Sequence, residues 1–217
     1  MVLFRPFTAL LATLLLAGPL TASAEDKPLT VETIVAKARA ALTSDVAALD
    51  KVKTLRMEFA AVDPQGKEIN VTALTLAVPG YRLQKTLERS RNFEAAVCAG
   101  RLEGWTTRKL DALASREIRS VPYEEFKKLQ DMSRDDLAFF AIPAAGLGTA
   151  TYKGPSEIDG RKTQAVEYAY ASGFRITRHF DAKTFALVAS DQLTPTRELI
   201  RQQVVSFVEV DGLRFAA

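Results

Sequence analysis

The chain is poor in the residues that build catalytic and metal centres. Its 217 residues include one histidine, His179, one cysteine, Cys98, and one tryptophan, Trp105. A single cysteine excludes an internal disulfide, and in the apolar run FEAAVCAG it reads as a small buried hydrophobe. One histidine with no Cys/His/Glu set at ligand spacing offers no metal centre. There is also no G-x-S-x-G elbow and no glycine-rich phosphate loop. No cofactor is expected. Charge of one sign is scarce as well: 29 Lys and Arg stand against 26 Asp and Glu. The sequence pI of 9.0 therefore reflects a slight excess spread along the chain, with no basic block suited to nucleic acid.

Long hydrophobic runs are lacking too, apart from one near the start. Arg5 precedes an apolar stretch from about Phe7 to Ala17, then come Gly18-Pro19 and Ala22-Ser23-Ala24. This is the grammar of a secretory signal, too short to span a membrane. Cleavage is expected after Ala24, so that residues 1–24 are the signal and 25–217 a single exported domain in a bacterial periplasm. The cleavage point carries no cysteine, so no lipid anchor is expected. Without Arg5 the formal net charge of +3 falls to +2.

What remains is rich in strands. LTVETIVAKARAAL predicts an amphipathic helix with Thr30 as N-cap and Val31, Ile34, Val35, Ala38 and Leu42 on one stripe. Ser44-Asp45 caps a second short helix. From Leu55 the period changes to two: Leu55, Met57, Phe59 and Ala61 alternate with polar or small neighbours. The turn DPQGKE, the strand INVTALTLAV, the turn at Pro79-Gly80 and two further strands continue an antiparallel meander. VPYEEFKKLQDMSRDDLAFFAIP interrupts it with two predicted short helices, the second opened by a capping-box-like Ser133 and Asp136 and carrying Phe139 and Phe140. After the small-residue connector PAAGLG the meander resumes, with Asp159-Gly160 and Asp211-Gly212 as two-residue hairpin turns. QQVVSFVEV reads as a strand apolar on both faces. A sheet apolar on both sides needs cover on both or encloses an apolar cavity.

The fold class is therefore α+β, mainly β: a curved antiparallel sheet with an N-terminal helix and a central helical insertion. RITRHFDAKTFALVASDQ contains the only imidazole, beside an aspartate. Phe174, Ile176 and Phe180 alternate with Arg175, Thr177 and His179, and Asp181 to Thr184 supply turn chemistry. A hairpin with His179 on the polar face accounts for every residue. A general base needs a nucleophile and an orienting partner that nothing here supplies, so no enzyme is expected.

Behind the export signal, the helix, the meander and the insertion, the segments YKGPSEIDGRKTQAVEY, ITRHFDAKTFALVASDQ and FVEVDGLRF complete a pattern. It resembles the outer-membrane lipoprotein-sorting, or lipoprotein carrier-like (LolA/LolB-type), superfamily over nearly the whole exported chain. The resemblance implies a half-open β-barrel with a helical lid and an apolar cavity able to hold acyl chains. Carriers of this type use an arginine on an early strand to hold the lid, and both Arg56 and Arg82 lie on early strands. The implied function is non-enzymatic binding of the acyl chain of a lipid or lipoprotein. The implied partners are a membrane-bound delivery or acceptor protein, with no nucleic acid, and the protein is expected to be a monomer. The alternative is a protein-interaction module whose cavity is filled by side chains.

Six aromatic residues are candidates for the cavity wall. Phe126 sits on the apolar stripe of the insertion with Tyr123 and Leu129. Phe139 and Phe140 either belong to a fully buried helix or present a ring to the cavity. Trp105, and Tyr168 with Tyr170 on the face of Val166, are either core or ligand wall, and both readings stand for each.

Overall fold

A computed structural model of the chain describes residues 29–63, 65–193 and 198–216. The predicted export signal lies outside the described residues.

The first helix, α1 (Val31–Ala40), starts where the sequence places it, with Thr30 Oγ1 accepting from Thr33 N at 3.3 Å. Its apolar stripe is Ile34, Val35 and Ala38, all buried. The second, α2 (Val46–Lys51), is capped by Asp45, which accepts from Ala47 N at 3.1 Å. A meander follows: β1 (Thr54–Val62), β2 (Glu68–Ala77), β3 (Tyr81–Glu88), β4 (Phe93–Ala99), β5 (Gly104–Lys109) and β6 (Glu117–Ser120). They pair in sequence order as one six-stranded antiparallel sheet. Helix α3 (Tyr123–Leu137) leads to β7 (Gly148–Ile158), β8 (Arg161–Tyr170), β9 (Arg175–Asp181), β10 (Leu187–Leu193) and β11 (Leu199–Gln203). These make a second sheet of five strands in the order β11-β10-β9-β8-β7. The hairpin β12 (Phe207–Val210) and β13 (Leu213–Ala216) stands as a third, two-stranded sheet.

The expected class holds: the described chain is mainly β and antiparallel, with an N-terminal helix and a central helical element. Neither large sheet closes on itself, because β1 and β6 are the edges of one and β7 and β11 the edges of the other. Both Asp-Gly turns take the positive φ that a primed hairpin requires, at 48° and 78° for Asp159 and Gly160 and at 52° and 76° for Asp211 and Gly212.

The central insertion differs from expectation. It is one helix of 15 residues, where the sequence predicts two. Ser133 does not start a second helix; it lies in the interior of α3, where its hydroxyl donates to Tyr81 O at 2.6 Å. A capping motif offers a local hydrogen bond, and here a tertiary acceptor on β3 takes the hydroxyl instead. The helix ends at Leu137, so Phe139 and Phe140 are not helical. Both have positive φ, 47° and 68°, a region that aromatic residues rarely enter and that surroundings must enforce. Arg39 does so by donating to Ala138 O at 2.8 Å and Phe139 O at 3.4 Å, and Tyr168 by donating to Phe140 O at 2.8 Å. Two adjacent rings can thereby both turn inward. Phe139 joins Leu42 and Leu49 and meets Phe215 edge-on, while Phe140 meets Phe180 edge-on with centroids 5.1 Å apart.

QQVVSFVEV is not one strand either. The pairing ends at Gln203 and restarts at Phe207, leaving Val205 90% exposed. The largest core cluster instead lies between α1 and the inner face of the five-stranded sheet: Ile34, Val35 and Ala38 against Val166, Tyr168, Ile176 and Phe180.

Candidate functional site: a cleft between the sheets

Helix α3 lies between the two sheets, and its buried polar residues join it to both. On one side Arg178 of β9 donates through both terminal nitrogens to the Asp135 carboxylate, with Nη1 to Oδ1 at 3.0 Å. The pair is almost fully buried, with side chains 6% and 2% exposed. Tyr170 adds a hydrogen bond to Asp135 at 2.8 Å. The Arg178 guanidinium also lies over the rings of Tyr168 and Phe140, 4.8 and 5.2 Å from their centroids. Burial alone would lower the Arg178 pKa, but the charge and hydrogen bonds of Asp135 raise it, so this arginine stays protonated. Burial pushes the Tyr168 and Tyr170 hydroxyls well above the usual phenol range, which keeps both as donors.

On the other side Arg82 of β3 donates from Nη1 to Asp136 Oδ2 at 2.8 Å. Burial raises the Asp136 pKa, the Arg82 charge opposes this, and the neighbouring Asp135 reinforces it. Asp136 keeps 35% of its side chain exposed. Gln130 reaches the β4–β5 turn at Gly100 O, 2.9 Å away. Of the two arginines left open by sequence, Arg82 is the buried one bonded to the helix, and Arg56 points to solvent.

Below the C-terminal end of α3 the two sheets leave a cleft of about 210 Å³. Its wall is largely apolar: Leu55 and Met57 of β1, Ile176 of β9, Leu187 of β10, and Phe207 and Phe215 of the terminal hairpin. Asp135, Asp136 and Arg178 form a polar end, and Ser190, Gln202 and Arg214 also line it. The hairpin wall is held by Arg214 N to Leu42 O at 2.8 Å and by the Phe139–Phe215 ring contact.

The six aromatic candidates are distributed unevenly around this cleft. Phe139 and Phe140 line it. Tyr168 and Tyr170 lie in the core and act on the cleft through the backbone of Phe140 and the carboxylate of Asp135. Phe126 packs under the N-terminal half of α3 with Ala99 and Val121, over Gly104, where a Cβ would come within 3.1 Å of its ring. Trp105 is half-buried on β5, opposite Cys98 and Ser120. Arg178 and Asp135 are absent from the sequence reading. The one signal for them was Arg178 falling between Ile176 and Phe180 on an otherwise apolar strand face.

His179 requires a correction. It was expected on the polar, solvated face of its strand, and it is 6% exposed. Its Nδ1 is 3.0 Å from Ser156 Oγ and its Nε2 3.0 Å from Asp191 Oδ2. Ser156 in turn bonds Thr163 at 2.7 Å, and Arg201 grips Asp191 with two bonds of 2.7 Å. The hydrogen bonds of Arg201, and then His179, hold the Asp191 carboxyl below its usual range. The β7–β8 pairing shifts register at a bulge between Tyr152 and Gly154, two residues before Ser156. Serine, histidine and aspartate are thus in line, but both ring nitrogens and the carboxylate are committed to partners, and none of the three lines the cleft. The arrangement is a clamp across five strands, β7 to β11.

No family model matches the sequence, and no curated protein matches it. Solved structures with partial similarity do exist. A DUF1329 family protein from Desulfovibrio piger is 13% identical at a TM-score of 0.48, covering 86% of this chain and 83% of that one. A LolA superfamily protein from Nitrosomonas europaea is 12% identical at 0.47, covering 87% and 83%. An outer membrane lipoprotein-sorting protein domain from Vibrio parahaemolyticus is 13% identical at 0.46, covering 86% and 83%. No helix among the described residues is long and apolar enough to cross a membrane.

Proposed function

We propose that this protein is an exported, periplasmic, non-enzymatic binding protein that takes the acyl chain of a lipid or lipoprotein into the cleft between its sheets. The observation that carries this reading is the chemistry of the wall. Both sheets and the terminal hairpin contribute apolar side chains, while Asp135 is bonded to Arg178 and Tyr170, and Asp136 to Arg82 behind the wall. Such a site offers an incoming ligand a mostly apolar surface with its two carboxylates already paired, which suits a hydrocarbon chain at about 0.8 kcal/mol per buried CH₂. The volume of about 210 Å³ lies below the roughly 300–1,000 Å³ of typical ligand pockets, so the site must widen. The hairpin β12–β13 is the wall with the fewest ties, and its displacement opens the cleft toward β1.

In this reading Phe139 and Phe140 contact the chain, Tyr168 and Tyr170 hold that wall in place, and Phe126 and Trp105 stiffen the helix and sheet behind it. Arg82, bonded to Asp136, is in the same reading the early-strand arginine that holds the helix. A monomer exchanges its cargo with a membrane-bound delivery or acceptor protein, after loss of a signal cleaved behind Ala24.

The test is native mass spectrometry of protein from its own periplasm, followed by titration of delipidated protein with a fluorescent fatty acid. Co-purified lipid mass and saturable binding that Met57→Gln or Leu187→Gln weakens are expected. Protein that carries no lipid and binds none would point to the interaction module with a filled interior.

A further inference from the structure

The inner face of the six-stranded sheet continues past α3, and the strand register shows what it carries. The cross-strand row Leu55, Leu76, Arg82, Ala99 and Gly104 lies under the helix. The next row starts at Met57, in the wall of the cleft, and crosses the sheet through Leu74, Gln84, Val97 and Thr106 to Arg119. The row beyond it ends in Arg108 and Glu117. These two rows floor an open trough of about 350 Å³. One cross-strand row therefore joins the apolar cleft at β1 to two guanidinium groups at β5 and β6, passing through Leu74, which is buried against Leu137 of α3. The span is roughly 19 Å to β5 and roughly 24 Å to β6, at about 4.8 Å between neighbouring strands.

The far end of this surface has a definite charge and donor set. Arg108 is exposed, lies 5.7 Å from the Phe93 ring centroid, and has no carboxylate partner among the described residues. Arg119 is exposed and bonds Glu117 at 3.0 Å through Nη2, leaving the rest of its fork free. Glu117 is itself part of the lining, so the trough carries two positive charges and one negative. The Gln84 amide and the Thr106 hydroxyl add neutral donors between the arginines and the cleft, and the Thr86 hydroxyl is bonded to Thr72 Oγ1 at 3.2 Å. Gln84 Oε1 is engaged by Arg82 Nη2 at 3.4 Å, which leaves the amide nitrogen of Gln84 to donate.

We propose that this trough binds the phosphate of an anionic lipid headgroup while the acyl chain of the same molecule lies in the cleft. This rests on the acyl-chain reading above and names its class of ligand. Two guanidinium forks flanked by hydroxyl and amide donors match a tetrahedral group of several acceptor oxygens, which charge-assisted bonds hold strongly. The surface is amphipathic along one line, apolar at β1 and cationic at β5–β6, as an extended single-chain phospholipid is.

The experiment uses the delipidated exported chain and three probes: lysophosphatidylglycerol, a monoacylglycerol of the same chain length, and inorganic phosphate. The phospholipid is expected to bind about tenfold more tightly than the neutral lipid, the equivalent of one charge-assisted hydrogen bond. Arg108→Gln with Arg119→Gln should erase this preference and leave monoacylglycerol binding and the thermal melt unchanged, since both positions are exposed. Glu117→Gln should widen the preference, and added salt should narrow it. Equal affinity for the two lipids in the unaltered protein would overturn the headgroup site while leaving the acyl cleft standing. Binding of neither would overturn the cleft reading and this one with it. Inorganic phosphate binding as tightly as the phospholipid would make the trough a site for free anions and overturn the assignment to lipid.

Discussion

Asp135 and Asp136 are consecutive on α3 and serve opposite sheets: Asp135 takes Arg178 of β9, and Asp136 takes Arg82 of β3. A helix turns by about 100° per residue, so two neighbouring carboxylates can face two different walls. The helix is thus joined to both halves of the fold at one level, beside the polar end of the cleft.

The buried member of this arrangement should dominate stability. Asp135→Ala leaves Arg178 charged and buried without its partner, which costs about 3–5 kcal/mol. Replacing both, Asp135→Leu with Arg178→Met, should cost clearly less than the sum of the single changes, because no charge is then stranded. Urea unfolding of the four proteins in the cycle measures this, and strict additivity would show that the pair is not coupled.

Asp181 should govern part of the acid limb. Burial opposes its ionisation, but bonds from Thr184 N, Arg161, Lys183 N and Thr184 Oγ1 outweigh burial and hold the carboxyl well below its usual range. A depressed carboxylate stabilises above the unfolded pKa of about 4, and the contribution is lost as pH falls below that value. Asp181→Ala should cost about 1–2 kcal/mol at neutral pH, as a lost cap does. It should also flatten the fall of the melting temperature below pH 4. A variant that keeps the parent's acid limb would show that Asp181 does not set it.

The clamp at His179 predicts a cost well beyond that of a surface position. His179→Ala strips partners from Ser156 and Asp191 and should destabilise by about 1–3 kcal/mol. A thermal melt within about 0.5 kcal/mol of the parent, the range of an ordinary surface change, would mean the network contributes nothing.

Gly160 and Gly212 have φ of 78° and 76° with open space where a Cβ would stand. Substitution by valine therefore tests backbone strain without a clash, and each change should cost about 1–2 kcal/mol. A variant as stable as its parent would mean that its turn relaxes to another geometry.

Hydrogen exchange should separate the two candidates for the moving part. From sequence, the segment Tyr123 to Phe140 is the expected mobile cover. In the structure α3 buries Phe126, Gln130, Asp131, Ser133, Asp135 and Leu137, whereas most residues of β12 and β13 are exposed or half-buried. Segments with few buried contacts open at lower free energy. Without ligand, β12–β13 should exchange faster than α3, and a bound fatty acid should slow the hairpin more than the helix. Slowing confined to α3 would return the role of moving cover to the helix.

The sequence by itself determined the elements whose causes are local. The Thr30 and Asp45 caps, the period-two alternation of the meander and the two Asp-Gly turns each rest on side chains bonding or straining their own backbone, so neighbours along the chain suffice to read them. Tertiary structure decided what depends on partners far along the chain. Ser133 and Asp136 match a helix start, yet the hydroxyl found Tyr81 O and the helix ran through. Phe139 and Phe140 entered a left-handed turn that no local preference favours, because Arg39 and Tyr168 hold their carbonyls from elements far apart in sequence. His179 was read as solvated from its alternation, and it is buried against Ser156 and Asp191, carried to it on β7 and β10. Arg178 shows the limit most plainly. A charge on an apolar strand face is a liability until a carboxylate 43 positions away is carried to it on another element, and no pattern within the strand records that arrival.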